Sequence, residues 1–305
     1  MSPDDLYEFT DDTLTEGAPV LLHALHGFID AGEAGQGFAE HLLATLPHRV
    51  VARFDIDQLH DYRAQRPTIV FAHDHFEQYV APQLTLYAVR DDSESEFLLL
   101  TGPEPDTQWE RFSQAVTQLV RRFGVRLTVG VHGIPLTVPH TRPLGVTSHA
   151  TRPDLVTGPN PWEGEITMPA GAPTLLELRL GEAGHDAMGF AVHVPHYIAD
   201  NRYPEAIITL LRSVSRVTGL LLPVGNLEEE AAYVGTLVES QVASNELVQK
   251  VVHELESQYD ADAPAGSRRE LPALGDDDLP TGDEIAAEAE AFLADLDDDG
   301  EHPQG

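Results

Sequence analysis

Val20-Leu21-Leu22-His23-Ala24-Leu25-His26-Gly27-Phe28-Ile29-Asp30-Ala31-Gly32-Glu33-Ala34-Gly35 is the stretch whose reading decides the fold. Its first six residues form an apolar run of strand length, of the kind buried on both faces of a sheet. Gly27 and Gly32 then punctuate a turn, and Glu33–Leu46 reads as a helix. The same order recurs along the chain. Val50–Phe54 reads as the next strand. Leu84–Val89 and Phe97–Thr101 read as two more, joined as a hairpin by the polar turn Arg90-Asp91-Asp92-Ser93-Glu94. Trp109–Phe123 has helical spacing through Phe112, Val116, Leu119 and Val120. Arg126–Val131 is an apolar strand that ends at His132-Gly133. Leu175–Leu180 and Ala191–Val194 are further strand candidates. Pro204–Gly219 reads as a helix, with proline in its first turn and glycine after its end. Alternation of this kind predicts an α/β fold: three layers, α/β/α, with a largely parallel sheet and strands 20–25, 97–101 and 126–131 at its centre.

Residues 1–225 make up this core. Leu227–Tyr259 is helical throughout, with Asn226 placed to cap it. Ser244-Asn245-Glu246 either divides it into a helical hairpin or lies within one long helix, so 226–259 is expected to pack on the core as an extension. From 260 to 305 come ten Asp, five Glu and two Arg, a local charge of −13. Such a composition buries too little apolar area to offset the entropy of ordering. The tail is therefore expected to be mostly disordered. One short helix, 282–296, is the exception: Thr281 and Glu284 have capping-box spacing before Ile285, Ala289, Phe292, Leu293 and Leu296.

Charge and composition narrow the function classes. The formal net charge is −33, and Lys250 is the sole lysine. A surface of that sign repels nucleic acid and anionic membranes. The apolar runs are too short to span a bilayer, which needs roughly 20 residues. The N-terminus has neither the basic nor the apolar part of a secretory signal. There is no cysteine, which excludes disulfides, thiolate nucleophiles and cysteine-ligated metal. A cytoplasmic protein without a cofactor is expected.

Two loops at strand carboxyl ends, where open α/β sheets bind ligands, supply the candidate pocket. One contains Asp30, Gly32 and Glu33; the other contains His132, Gly133, His140 and Arg142. The first lacks the spacing of dinucleotide and phosphate loops, and its acids would oppose a phosphate. A tight turn in which Asp30 caps the helix is the competing reading. In the second, His140 and Arg142 would bind an anion, or the loop is a proline-stiffened connection. Fifteen histidines are spread over the chain, among them His23, His26, His149, His193 and His196, without a metal-ligand motif. No G-x-S-x-G is present. No catalytic residue is assigned.

Three of these segments resemble a known family. The Gly27–Gly32 turn, the run Phe97-Leu98-Leu99-Leu100-Thr101-Gly102-Pro103-Glu104-Pro105-Asp106 before Trp109, and Gly133-Ile134-Pro135 through Pro139-His140-Thr141-Arg142-Pro143 are similar to the proteasome-assembly-chaperone-like proteins of actinobacteria and archaea. The resemblance spans roughly residues 18–258. It implies a phosphorylase/hydrolase-like α/β/α body assembled as a homo-oligomer, a trimer among the options, and a proteasome-related protein partner without a defined reaction. Some chaperones of that group end in a hydrophobic-Tyr-X tail; this chain ends His302-Pro303-Gln304-Gly305 and departs from it. The expectation is a non-enzymatic, chaperone-like or protein-interaction protein. The alternative is a small-molecule enzyme, ligase or nucleoside-phosphorylase-like, using the strand-end cleft. A third reading is a purely structural oligomer whose subunit contact is carried by the helical region 227–259, so that charging Val234 and Val238 would dissociate it.

Overall fold

The computed structural model describes residues 3–11, 20–156 and 164–262. In chain order the elements are β1 (Tyr7–Phe9), β2 (Val20–His26), α1 (Ala34–Thr45), β3 (His48–Phe54), β4 (Val70–Ala72), β5 (His75–Glu77), β6 (Thr85–Arg90), β7 (Glu96–Pro103), α2 (Trp109–Arg122), β8 (Leu127–Leu136), β9 (Val146–Ala150), α3 (Ala172–Glu182), β10 (Ala187–Pro195), α4 (Pro204–Thr218), α5 (Leu227–Ala243) and α6 (Glu246–Asp262).

The main sheet has the order β1-β3-β6-β7-β2-β8-β10-β9, and β4 pairs only with β5 in a separate hairpin. β2 lies at the centre and runs parallel to β7 and β8, and β8 runs parallel to β10. The flanking ladders are antiparallel, including the predicted β6–β7 hairpin. Strands β2, β3, β7, β8 and β10 share one direction. Alternation along β2 divides the core in two. Val20, Leu22 and Ala24 face one layer with Phe38 and Leu42 of α1 and Ile207, Leu210 and Leu211 of α4. Leu21 and Leu25 face the other, with Phe112, Val116 and Leu119 of α2 and Leu176 and Leu180 of α3. The three-layer α/β/α expectation is met.

Leu175–Leu180, expected as a strand, is instead part of α3. Leu176 and Leu180 are four apart, fully buried on one helical face, whereas Leu178 is exposed. Pro173 opens the helix, and Gly171 and Thr174 close its first turn. His132-Gly133-Ile134-Pro135, expected as a loop, continues β8 and pairs with β10 as far as Leu136↔Pro195. The proline is tolerated for a geometric reason. β2 pairs with β8 only up to Gly130, so among the described residues β8 has no strand on that side beyond this point. The Gly133 N–H points to the vacated side, and position 135 points the same way, where a missing N–H costs no ladder bond.

Asn245 divides the C-terminal helices, its Oδ1 accepting from the Leu247 and Val248 N–H groups. Asn226 does not cap α5; its side chain donates to Glu230. Leu227, Ala231, Val234 and Val238 pack α5 against the α1/α4 layer of the same chain, Val238 buried there and Val234 partly so. The expected helix at 282–296 lies outside the described residues. Among the described residues, no helix is long and apolar enough to cross a membrane.

A Cβ at Gly133 would lie 2.0 Å from the Ala31 carbonyl oxygen, and a backbone oxygen held by the β2–α1 turn has little room to retreat. Gly133→Ala should therefore cost about 2–3 kcal/mol in urea unfolding at neutral pH. Gly235→Ala, in α5 with nothing within 4 Å, should be neutral or slightly stabilising. Equal stability of the two variants would contradict this packing.

Candidate functional site

β2 ends at His26, and the chain turns over the carboxyl edge of the sheet before α1 begins at Ala34. Gly32 adopts φ 70°, a left-handed conformation that suits glycine. Its N–H donates to the Ala199 carbonyl at 2.6 Å, and its carbonyl accepts from the Tyr203 N–H at 2.9 Å, which ties the turn to the β10–α4 connection. Asp30 sits inside this turn. Its Oδ1 accepts from the Gly35 N–H at 2.7 Å and the Gly133 N–H at 3.0 Å, and its Oδ2 from the Gln36 N–H at 2.9 Å. The carboxylate thus caps the first turn of α1 and closes the open edge of β8. Burial raises its pKa above the usual carboxylate value, against the pull of the three N–H donors.

Glu104, which follows β7, does the same for α3. Its Oε2 accepts from the Phe28 N–H at 3.1 Å and its Oε1 from the Ala172 N–H at 2.5 Å. Asp30 and Glu104 therefore fix the carboxyl edge from opposite faces of the sheet.

The layer beneath α3 is unusual for a core because it contains imidazoles. His23 of β2 lies over Gly130 of β8, where a Cβ would be 2.5 Å from the ring. His149 of β9 lies over Gly189 of β10 in the same manner, at 2.3 Å. These pairs face each other in register, so each glycine leaves the space its neighbour's ring fills. His132 projects onto this face too, its ring centroid 6.4 Å from that of His149. His149 Nδ1 is 3.0 Å from Glu177 Oε1 of α3, and His193 pairs with the Thr147 hydroxyl at 2.8 Å. Together with Leu25, Phe28, Ile29 and Glu104, the first three imidazoles enclose a cavity of about 90 Å³. Burial, then the neighbouring His149, lowers the pKa of both His23 and His132 to about 4. Among the described residues, no group of three or more His, Asp or Glu could hold a metal ion.

The seven residues singled out from the sequence do not meet in one cleft. Asp30, Gly32 and Gly133 build the β2–α1 turn and its contact with β8. Glu33 sits at the start of α1 with φ 49° and makes no side-chain cap. His132 alone reaches the imidazole cavity. His140 and Arg142 lie under α6. The His140 Nδ1 and N–H both meet the Tyr197 hydroxyl, at 2.7 and 2.8 Å. Arg142 donates from Nε and Nη2 to the two carboxylate oxygens of Asp260 at 2.8 and 2.7 Å, so its fork is occupied by its own chain. That pairing holds the Asp260 carboxyl below its usual value. Sequence reasoning missed Glu104 and Glu177 as site residues. A histidine inside the apolar run of β2 was the visible signal for His23, whereas Glu177 was masked by the strand reading of its segment.

The imidazole layer predicts acid sensitivity. The unfolded chain protonates its histidines near pH 6.5, whereas folded His23 and His132 stay neutral down to about pH 4. Their contribution is fully present above pH 6.5 and is lost as pH falls from there to 4, on the order of 3 kcal/mol for His23. Urea midpoints measured across that window should fall, and the His23 and His132 Cε1–H resonances should not titrate above pH 5. Titration of both near 6.5 would contradict the burial described.

A Mycobacterium tuberculosis protein of unknown function is 45% identical, with a TM-score of 0.80 over 84% of this chain and 89% of that one. A Corynebacterium glutamicum protein of unknown function is 39% identical, with a TM-score of 0.80 over 85% and 98%. A proteasome-assembly chaperone homologue from Mycobacterium tuberculosis shares the fold at 24% identity, with a TM-score of 0.70 over 76% and 99%. No curated protein matches the chain. The model of the PAC2 family matches residues 24–242, from the buried strand β2 into α5, and the chain belongs to that family.

Proposed function

We propose that this protein is a cytoplasmic, non-enzymatic, chaperone-like interaction protein that works as a homo-oligomer, with proteasome subunits as its clients. The β4–β5 hairpin carries the reading. Phe71 and Phe76 face each other across it with ring centroids 5.0 Å apart, yet they are 60% and 68% exposed. Ile69, Val70, Tyr79 and Val80 are exposed beside them. A two-stranded hairpin is marginal in water by itself, and a contiguous apolar patch of this kind marks a contact surface.

The occupant of that surface is a second copy of the chain. The chain's net charge is −33, so most of its surface repels another copy. Residues 60–83 instead carry Arg63 and Arg66 against Asp61, Asp74 and Glu77, close to balance. Two copies meet there with the least repulsion. The chaperone-like role rests on family membership and on the shared fold of the proteasome-assembly chaperone homologue.

Sedimentation tests the assembly. The full chain should sediment as an oligomer, and Phe71→Glu with Phe76→Glu should return it to a monomer with unchanged far-UV circular dichroism. A monomeric parent, or an intact oligomer in the double variant, would reject the arm as the contact. For the client, the purified chain should speed core-particle formation from separate actinobacterial proteasome α and β subunits on native gels. Failure to bind either subunit would reject the proteasome link.

A further inference from the structure

We infer that the cavity between α3 and the carboxyl ends of β2 and β8 binds a small, uncharged, planar molecule through an amide-type edge, hydrogen-bonded by His23 and His132. His23 is 5% exposed and lines the cavity. His132, half-buried, lines it as well, and among the described residues no protein group is hydrogen-bonded to either ring. Both rings line the void, so their donor and acceptor positions are open to whatever fills it.

The charge of the site selects the class of partner. Among the described residues its lining holds no arginine or lysine, so an anion finds no counter-charge there. Its two carboxylates are already engaged, Glu104 by the Phe28 and Ala172 N–H groups and Glu177 by His149, so a cation finds no free one. The geometry selects the edge. His23 is in register with Gly130, and His132 lies two residues further along β8 on the same face, which makes the two rings diagonal neighbours. A neutral imidazole offers one donor and one acceptor. Two such rings side by side match an N–H beside a C=O. Leu25, Ile29, Ile134 and Pro173 supply apolar walls, and Phe28, 59% exposed, stands at the mouth to cover a flat ring. A void of about 90 Å³ exceeds what one or two waters need. This site is separate from the β4–β5 arm and stands or falls without it.

Benzamide, benzoate and benzamidine share one shape and differ in charge, which makes them the test. With the full chain at pH 7, benzamide should bind saturably by calorimetry and shift the His23 and His132 Cε1–H resonances. Benzoate and benzamidine should bind at least about tenfold more weakly. His132→Leu should weaken benzamide by about tenfold or more while leaving the melting temperature unchanged or higher. The inference is overturned if benzamide does not bind up to its solubility limit, if the three probes bind alike, or if the folded leucine variant binds like the parent.

Discussion

Three backbone N–H groups, from Gly35, Gln36 and Gly133, converge on the Asp30 carboxylate, and the arrangement of the carboxyl edge depends on that convergence. β2 stops pairing with β8 at Gly130, while β8 goes on with β10 to Leu136. That leaves one side of β8 with unpaired backbone in a region the turn covers. Buried N–H groups without acceptors are costly. A carboxylate on the turn supplies the acceptor and caps α1 in the same act. The glycines follow from it: Gly133 has no Cβ because the Ala31 carbonyl occupies that place. Glu104 repeats the device across the sheet, joining the β2–α1 turn to the first residue of α3.

Those two acids explain why the faces of the sheet differ. On the α1/α4 face the turn is drawn down onto the strands, and Ala31, Ala34, Val131 and Val194 fill the space with apolar groups. On the α3 face, glycines at 130 and 189 admit imidazoles, and a void remains at the rim. The polar residues that look most reactive in the sequence are used for construction. Asp30 holds backbone, His140 holds Tyr197, and Arg142 holds α6. The proposed interaction surface lies elsewhere, on the β4–β5 hairpin, where the acidic charge of the chain thins out.

The central strands were legible because burial on both faces leaves an uninterrupted apolar run, as in Val20–Leu25 and Phe97–Thr101. α1, α2 and α4 were legible from their spacing, and Gly219 ends α4 at φ 78° as a terminating glycine should. α3 was misread because Leu175-Leu176-Glu177-Leu178-Arg179-Leu180 satisfies a period of two as well as four, and tertiary packing decided between them. The extension of β8 through Pro135 was hidden because its tolerance depends on where β2 ends. Strands β1, β4, β5 and β9 escaped notice; the short β1, β4 and β5 lie mostly exposed, and β9 is an edge strand. For the site, Asp30 as a cap was readable from its place before a helix. The grouping of His23, His132 and His149 was not, because it is set by strand order and register.

The keystone role of Asp30 is tested most directly by native-state hydrogen exchange of the Gly35, Gln36 and Gly133 amides. All three should be protected as strongly as the core amide of Leu99, and in Asp30→Ala they should lose protection together while Leu99 keeps its own. Exchange at loop rates in the parent protein, or loss at one of the three without the others, would contradict the account.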